Sequence, residues 1–189
     1  MGVLVYITGI KPSPGDLPEN LGFVQKVWLD KHTGGVFLSI SFKGLTITGI
    51  DDRRYWNHMP TEESRFLSIA YLQQTWWLEV DGQLEFPFPT RSYSIFFRLH
   101  LGRAAKRFSH QICNIEHVHG WNKSKCLLDD PRKWNLYRVG DFFVDSTTSS
   151  TKLKFSITQI DCTHTKGGLC LDCVIVYPCM CRERFKHFF

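Results

Sequence analysis

Gly49-Ile50-Asp51-Asp52-Arg53-Arg54-Tyr55-Trp56-Asn57, Gln74-Thr75-Trp76-Trp77-Leu78-Glu79-Val80-Asp81-Gly82, Glu85-Phe86-Pro87-Phe88-Pro89 and Tyr93-Ser94-Ile95-Phe96-Phe97-Arg98-Leu99 are the blocks from which the fold is read. Apolar residues alternate with polar ones between turns rich in Gly, Pro and Asp, the pattern of half-buried strands. Alternation over Trp76 to Val80 puts Trp76, Leu78 and Val80 on one face and Trp77 and Glu79 on the other. One tryptophan is therefore expected in the core and the other more exposed. The prolines of 85–89 confine that stretch to an edge or an extended loop. Residues 92–101 are predicted to be a central strand, with Tyr93, Ile95 and Phe97 on one face and Ser94, Phe96 and Arg98 on the other.

Outward from this segment the same period continues. Val27-Trp28-Leu29, a turn at 30–35 and the alternating run 36–42 predict a hairpin with one buried face. Leu45-Thr46-Ile47-Thr48 reads as a short strand or a turn of helix. Thr61 or Ser64 with Glu62 and Glu63 resembles a helix start, so 62–67 is predicted to be a short helix or helical turn. Residues 111–115 begin another strand, 136–144 form a strand with a Gly-Asp kink, and in 152–160 Leu153, Phe155, Ile157 and Gln159 share a face. The last strand runs over 169–177, after Gly167-Gly168. Eight or nine strands with few helices predict an all-β fold, an antiparallel β-sandwich with one or two short helices.

A chain of 189 residues with 43% hydrophobic and 14% aromatic residues fits one domain with a real core. The formal charge of +5 is mild, and basic residues cluster only at Arg103 to Arg107 and Arg182 to Lys186, so nucleic acid is not indicated. No run reaches the length of a membrane helix, and Val3 to Ile7 lacks the basic flank of a signal peptide. Tyr6 stands where a myristoylation signal needs Ser or Thr. The expected setting is cytoplasm or nucleus, with the seven cysteines mostly as free thiols.

The Arg53-Arg54-Tyr55-Trp56 and Trp76-Trp77-Leu78-Glu79-Val80 blocks, His119-Gly120-Trp121, Val139-Gly140-Asp141-Phe142 and 160–170 occur in one order. In that order they resemble the lectin-like domain of the plant phloem protein 2 (Nictaba-related) family, above all its F-box members. The resemblance runs from about Lys26 to Pro178 and implies a jelly-roll-like sandwich. It divides the chain into an irregular segment 1–25, the domain 26–178 and a basic tail 179–189. Asp16-Leu17-Pro18-Glu19-Asn20 resembles the opening of an F-box, whose helices dock on a Skp-type adaptor of a ubiquitin ligase, but the helical bundle of an F-box does not follow. Only 122–125 stand where relatives carry a further strand, so an open sheet edge is expected there.

Sugar recognition needs an aromatic plane and planar polar groups. Arg54, Tyr55, Trp56, Trp76, Trp77, Glu79 and Glu85 are the candidates. The resemblance implies N-acetylglucosamine oligomers or N-glycans, a glycoprotein or another protein target as ligands. It makes the residues around the Trp-Trp-Leu-Glu block the contributors.

Two further chemistries have candidate residues. Cys162, His164, Cys170, Cys173, Cys179 and Cys181, with His117 and His119, contain metal-ligand types. Strand alternation would put Cys170 and Cys173 on opposite faces, so buried free thiols are expected instead of a metal. For catalysis there is no P-loop, Gly-x-Ser-x-Gly elbow or dinucleotide fingerprint, and Cys162 with His164 lacks an orienting carboxylate other than Asp161. No enzyme and no cofactor is expected.

Overall fold

Leu153, Phe155, Ile157 and Gln159 are all buried, while of the residues between them Lys154 is exposed, Thr158 is half-buried and Ser156 is buried. That strand belongs to one of two antiparallel sheets. The computed structural model describes residues 4–5, 25–30, 34–106, 110–117, 120–127, 133–147, 149–160 and 162–181. The proposed F-box opening and the tail beyond Cys181 lie outside them.

Thirteen strands are described: β1 (Leu4–Val5), β2 (Gln25–Asp30), β3 (Gly35–Ser41), β4 (Thr46–Ile47), β5 (Trp56–Pro60), β6 (Ser68–Leu72), β7 (Leu78–Phe86), β8 (Arg91–Lys106), β9 (His110–His117), β10 (Gly120–Leu127), β11 (Trp134–Val144), β12 (Thr151–Gln159) and β13 (Gly167–Pro178). The excess over the expected eight or nine comes partly from two-residue strands that periodicity cannot detect. An eight-stranded sheet has β13 near its centre, with β8 and then β11 on one side and β3 and β6 sharing the other. A five-stranded sheet runs β10-β9-β12-β7-β4.

The inner faces make one core. It holds Leu38, Ile40, Phe97 and Val174 from the larger sheet and Leu78, Val80, Leu153 and Phe155 from the smaller. Phe97 meets Phe155 edge-on across the layers at 6.0 Å. Gly82 makes room for that ring, since a Cβ there would lie 2.2 Å from Phe155. The all-β antiparallel sandwich is thus the observed architecture. Its helical segments, among the described residues, are two 3-10 turns at Phe42–Gly44 and Cys179–Cys181.

Several local expectations are corrected. The hairpin of β2 and β3 forms, but β3 is buried on both faces, because β13 and β2 flank it and Phe37 stacks between Trp28 and Tyr177 outside the sandwich. Residues 62–67 are turns, not helix. The Ser64 hydroxyl is held by the Asp172 carboxylate and by the amide of Phe66, and Leu67 takes a φ of 59°. That geometry cannot extend into a helical ladder. The segment folds over the outer face of the larger sheet instead.

β13 carries a bulge against β8 between Leu171 and Cys173. One extra residue exchanges the two faces of a strand. Leu169, Leu171, Val174 and Val176 therefore face the main core, while Cys173, Ile175 and Tyr177 join Phe37, Phe96 and Cys181 in a second cluster outside it. Cys170 pairs with His100 and Cys173 with Arg98, so both cysteines lie on the outer face rather than on opposite faces. The bulged Asp172 is fully buried, and its carboxylate takes Arg98 Nη1 at 2.5 Å.

Where an open sheet edge was expected, residues 122–125 lie in β10, which pairs with β9 along its whole length and forms one edge of the smaller sheet.

Candidate carbohydrate site at one end of the sandwich

β6 and β7 belong to different sheets, so 73–77 must cross from one layer to the other at the end of the sandwich. This corrects the strand expected over Trp76–Val80, which begins only at Leu78. Alternation therefore does not reach the tryptophans. Both are exposed, Trp76 by 52% and Trp77 by 47%, rather than one being core.

Three loops meet here. The first, 48–55, joins β4 to β5, the second is the crossover, and the third, 160–166, joins β12 to β13. Gln73 links the first two, its amide donating to Tyr55 O at 2.7 Å and its side chain to Arg53 O at 2.8 Å. Thr75 and Lys166 exchange two backbone hydrogen bonds of 2.8 and 2.7 Å. The Thr75 hydroxyl donates to Trp77 O at 2.7 Å. Gly167 lies against the crossover so closely that a Cβ would stand 2.2 Å from Gln73 O.

Five of the candidates lie on the 48–55 loop, on the crossover or at the start of β7 that follows it. Arg54 is exposed, forms a 2.7 Å ion pair with Asp52 and lies 5.6 Å from the centre of the half-exposed Tyr55 ring. The Arg54 hydrogen bonds hold the Asp52 carboxyl below its ordinary range and raise the guanidinium in turn. Tyr55 is joined to the tryptophan crossover through Gln73. Glu79 follows the tryptophans on the solvent face of β7, where its carboxylate accepts from the Thr48 hydroxyl at 3.2 Å and its carbonyl from the Thr48 amide. Asp81 lies two positions on, and its carboxyl is pushed up by burial and then by Glu79.

Two candidates fall away. Trp56 is 2% exposed, and its indole nitrogen donates to Thr48 O, so it is a core residue that shapes the loop and has no face to offer a ligand. Glu85 stands six positions beyond Glu79 along β7, about 20 Å at strand rise, and pairs with Lys152 at 3.6 Å. It belongs to the far end of the sheet.

Sequence reasoning passed over Lys166 and Ile160. Lys166 is 1% exposed, and its ammonium donates to Trp76 O at 2.7 Å and to His164 O at 3.3 Å. Ile160, 65% exposed, follows Gln159, whose ladder partner is Leu78, and so flanks the tryptophans.

The cysteines are free thiols where described. Burial pushes the Cys170 thiol up to about 11 and the Cys173 thiol well above its ordinary value. Among the described residues no group of three or more His, Cys, Asp or Glu is placed to hold a metal ion. No helix among them is long and apolar enough to cross a membrane.

A phloem protein 2 family model matches residues 36–178. F-box protein PP2-A12 of Arabidopsis thaliana is 58% identical over 181 residues, covering 87% of this chain and 62% of that protein. The chain thus spans about three-fifths of that relative's length. A lectin of Luffa acutangula is 26% identical over 161 residues, covering 82% of this chain and 76% of the lectin. A family 35 carbohydrate-binding module from Clostridium thermocellum aligns at a TM-score of 0.42 and 10% identity, over 74% of this chain and 97% of the module. With most of its described strands inside the matched region, this chain is a member of the phloem protein 2 family.

Proposed function

We propose that the chain is a non-enzymatic, lectin-like module that binds glycans bearing N-acetylglucosamine, free or on glycoproteins, at the Trp76–Trp77 end of the sandwich. The observation that carries this is the pair of half-exposed indoles on a crossover held by hydrogen bonds at Gln73, Thr75 and Trp76. Large rings left in solvent on a rigid support contribute little to the core and are suited to stack on the apolar face of a pyranose. Arg54 and Tyr55 on the 48–55 loop and Glu79 at the start of β7 add planar polar groups, able to bind hydroxyls and the acetamido group. Family membership and the likeness to a lectin of Luffa acutangula support the reading. Cytoplasm and nucleus are the proposed setting.

Calorimetric titration with N-acetylglucosamine oligomers tests it. Saturable binding that Trp77→Ala and Glu79→Ala each weaken about tenfold, with the fold retained, is expected. Binding unchanged in both variants would place the site elsewhere.

A second reading rests on the 58% identity to F-box protein PP2-A12. In a longer protein the domain would present a glycosylated or other target to a ubiquitin ligase through a Skp-type adaptor. Co-purification of a Skp-type adaptor with the full-length protein, lost when the segment preceding the domain is removed, is the expected result. Retention of the adaptor by the domain alone would contradict it.

A further inference from the structure

Trp76 O, which accepts from the Lys166 ammonium at 2.7 Å, is the oxygen of the peptide that joins the two tryptophans. Trp77 O is held in turn by the Thr75 hydroxyl. Both carbonyls of the pair are thus fixed by side chains, although both indoles are about half in solvent and packing alone cannot orient them. The same ammonium reaches His164 O, 3.3 Å away in the β12–β13 loop. One buried cation therefore ties two loops together behind the exposed rings. A lysine with 1% exposure is rare, because a buried ammonium is tolerated only where acceptors receive its protons. The backbone at 166 is itself paired with Thr75, so the side chain is not needed merely to attach the crossover. What the side chain adds is the orientation of the Trp76–Trp77 peptide.

We propose that Lys166 is the positioning residue of the tryptophan rim, preorganising both indoles for a flat, hydroxyl-rich ligand. This rests on the glycan-binding reading for the ligand, but not for the positioning itself, and the two can fail separately.

The experiment compares wild type, Lys166→Met and Lys166→Arg by the indole N–H resonances of the free protein and by affinity for N-acetylglucosamine oligomers. Lys166→Met keeps side-chain volume and removes the donor. Its Trp76 and Trp77 resonances are expected to move and broaden while those of Trp28, Trp56 and Trp134 stay, and its affinity to fall about tenfold. Lys166→Arg, which keeps a donor, is expected to restore part of both. Unmoved Trp76 and Trp77 resonances, or moved resonances with full affinity, overturn the proposal. If wild type binds no sugar, the glycan reading fails and the resonances alone decide the positioning role. Should Lys166→Met not fold, wild type labelled with 15N-lysine decides the matter. A held ammonium gives a slowly exchanging Nζ signal with contacts to Trp76, and fast exchange there counts against the proposal.

Discussion

The indole nitrogen of Trp56 donates to the carbonyl of Thr48 at 3.1 Å. Thr48 then donates its hydroxyl to the Glu79 carboxylate at 3.2 Å. A core ring and a solvent-facing acid are thus joined through one loop residue. Trp56 is structural, and its effect on any ligand is indirect. Trp56→Ala is expected to cost about 3–5 kcal/mol, the range for a large aromatic deleted from a core. Trp56→Phe should cost about 1–3 kcal/mol for the unmade hydrogen bond. Urea denaturation of the two variants measures both, and a near-neutral Trp56→Ala would contradict the placement.

Two acids of β7, Glu79 and Glu85, separate the candidate site from the rest of the sheet. Glu79→Ala should lower glycan affinity about tenfold, in the range of a lost hydrogen bond to a charged group. Glu85→Ala, which breaks only an exposed pair with Lys152, should leave affinity within about twofold and stability within about 0.5 kcal/mol. Titration calorimetry on both variants decides this, and equal effects would mean that the ligand lies along the face of the smaller sheet rather than at its end.

Arg98 and Asp172 form an ion pair with side-chain exposures of 10% and 1%. Removing one partner leaves the other charge buried. Asp172→Asn or Arg98→Met is therefore expected to lose about 3–5 kcal/mol, seen as a lower urea midpoint. A shift under about 1 kcal/mol would show that the pair is more solvated than its burial implies.

Alkali should find a weak point in the outer face of the larger sheet. The Cys170 thiol is pushed to about 11 by burial and then by Glu63, and the Cys173 thiol is raised well above its ordinary value by burial and then by Asp172. Both stay protonated in the folded state while an unfolded thiol ionises nearer its ordinary value of 9.0. A raised acid contributes stability that is present below the unfolded value and lost as pH rises through the folded one. Stability should therefore fall between pH 9 and 11, as thermal melts across that window will register. At pH 8 a thiol reagent should modify the exposed Cys162 before Cys170 and reach Cys173 only on unfolding. Fast labelling of Cys173 in the native protein would contradict its burial.

Gly167 touches the crossover. Gly167→Ala places a methyl group 2.2 Å from Gln73 O, so backbone must move. The expected cost is about 1–3 kcal/mol, with a change in indole fluorescence. An unchanged melting temperature and spectrum would mean that the crossover adjusts freely.

Strands with plain alternation were legible in the sequence. β12 buries Leu153, Phe155, Ile157 and Gln159 together, and the core of β8 follows Tyr93, Ile95 and Phe97 as read. What escaped depended on contacts between distant residues. Ser64 is drawn into a turn by Asp172, 108 positions away, so a capping pattern that suits a helix is spent on a long-range bond. A one-residue bulge at Asp172 placed Cys170 and Cys173 on one face, and no periodicity announces a bulge. The exposure of both tryptophans follows from a change of sheet between Leu72 and Leu78, which composition cannot express. Lys166 showed no local sign of being buried. Aromatic and acidic residues could be named as candidates from the sequence, but which rings are exposed could not.

The most direct test is a tryptophan-fluorescence titration of the protein with N-acetylglucosamine oligomers, repeated on Trp76→Phe/Trp77→Phe. The account predicts a blue-shifted emission from the buried Trp56, and a component from the exposed pair that changes saturably with sugar. That response should disappear in the double variant while the fold remains. Emission of a folded protein that ignores sugar, or a response that survives loss of both rings, would contradict a glycan site at this end of the sandwich.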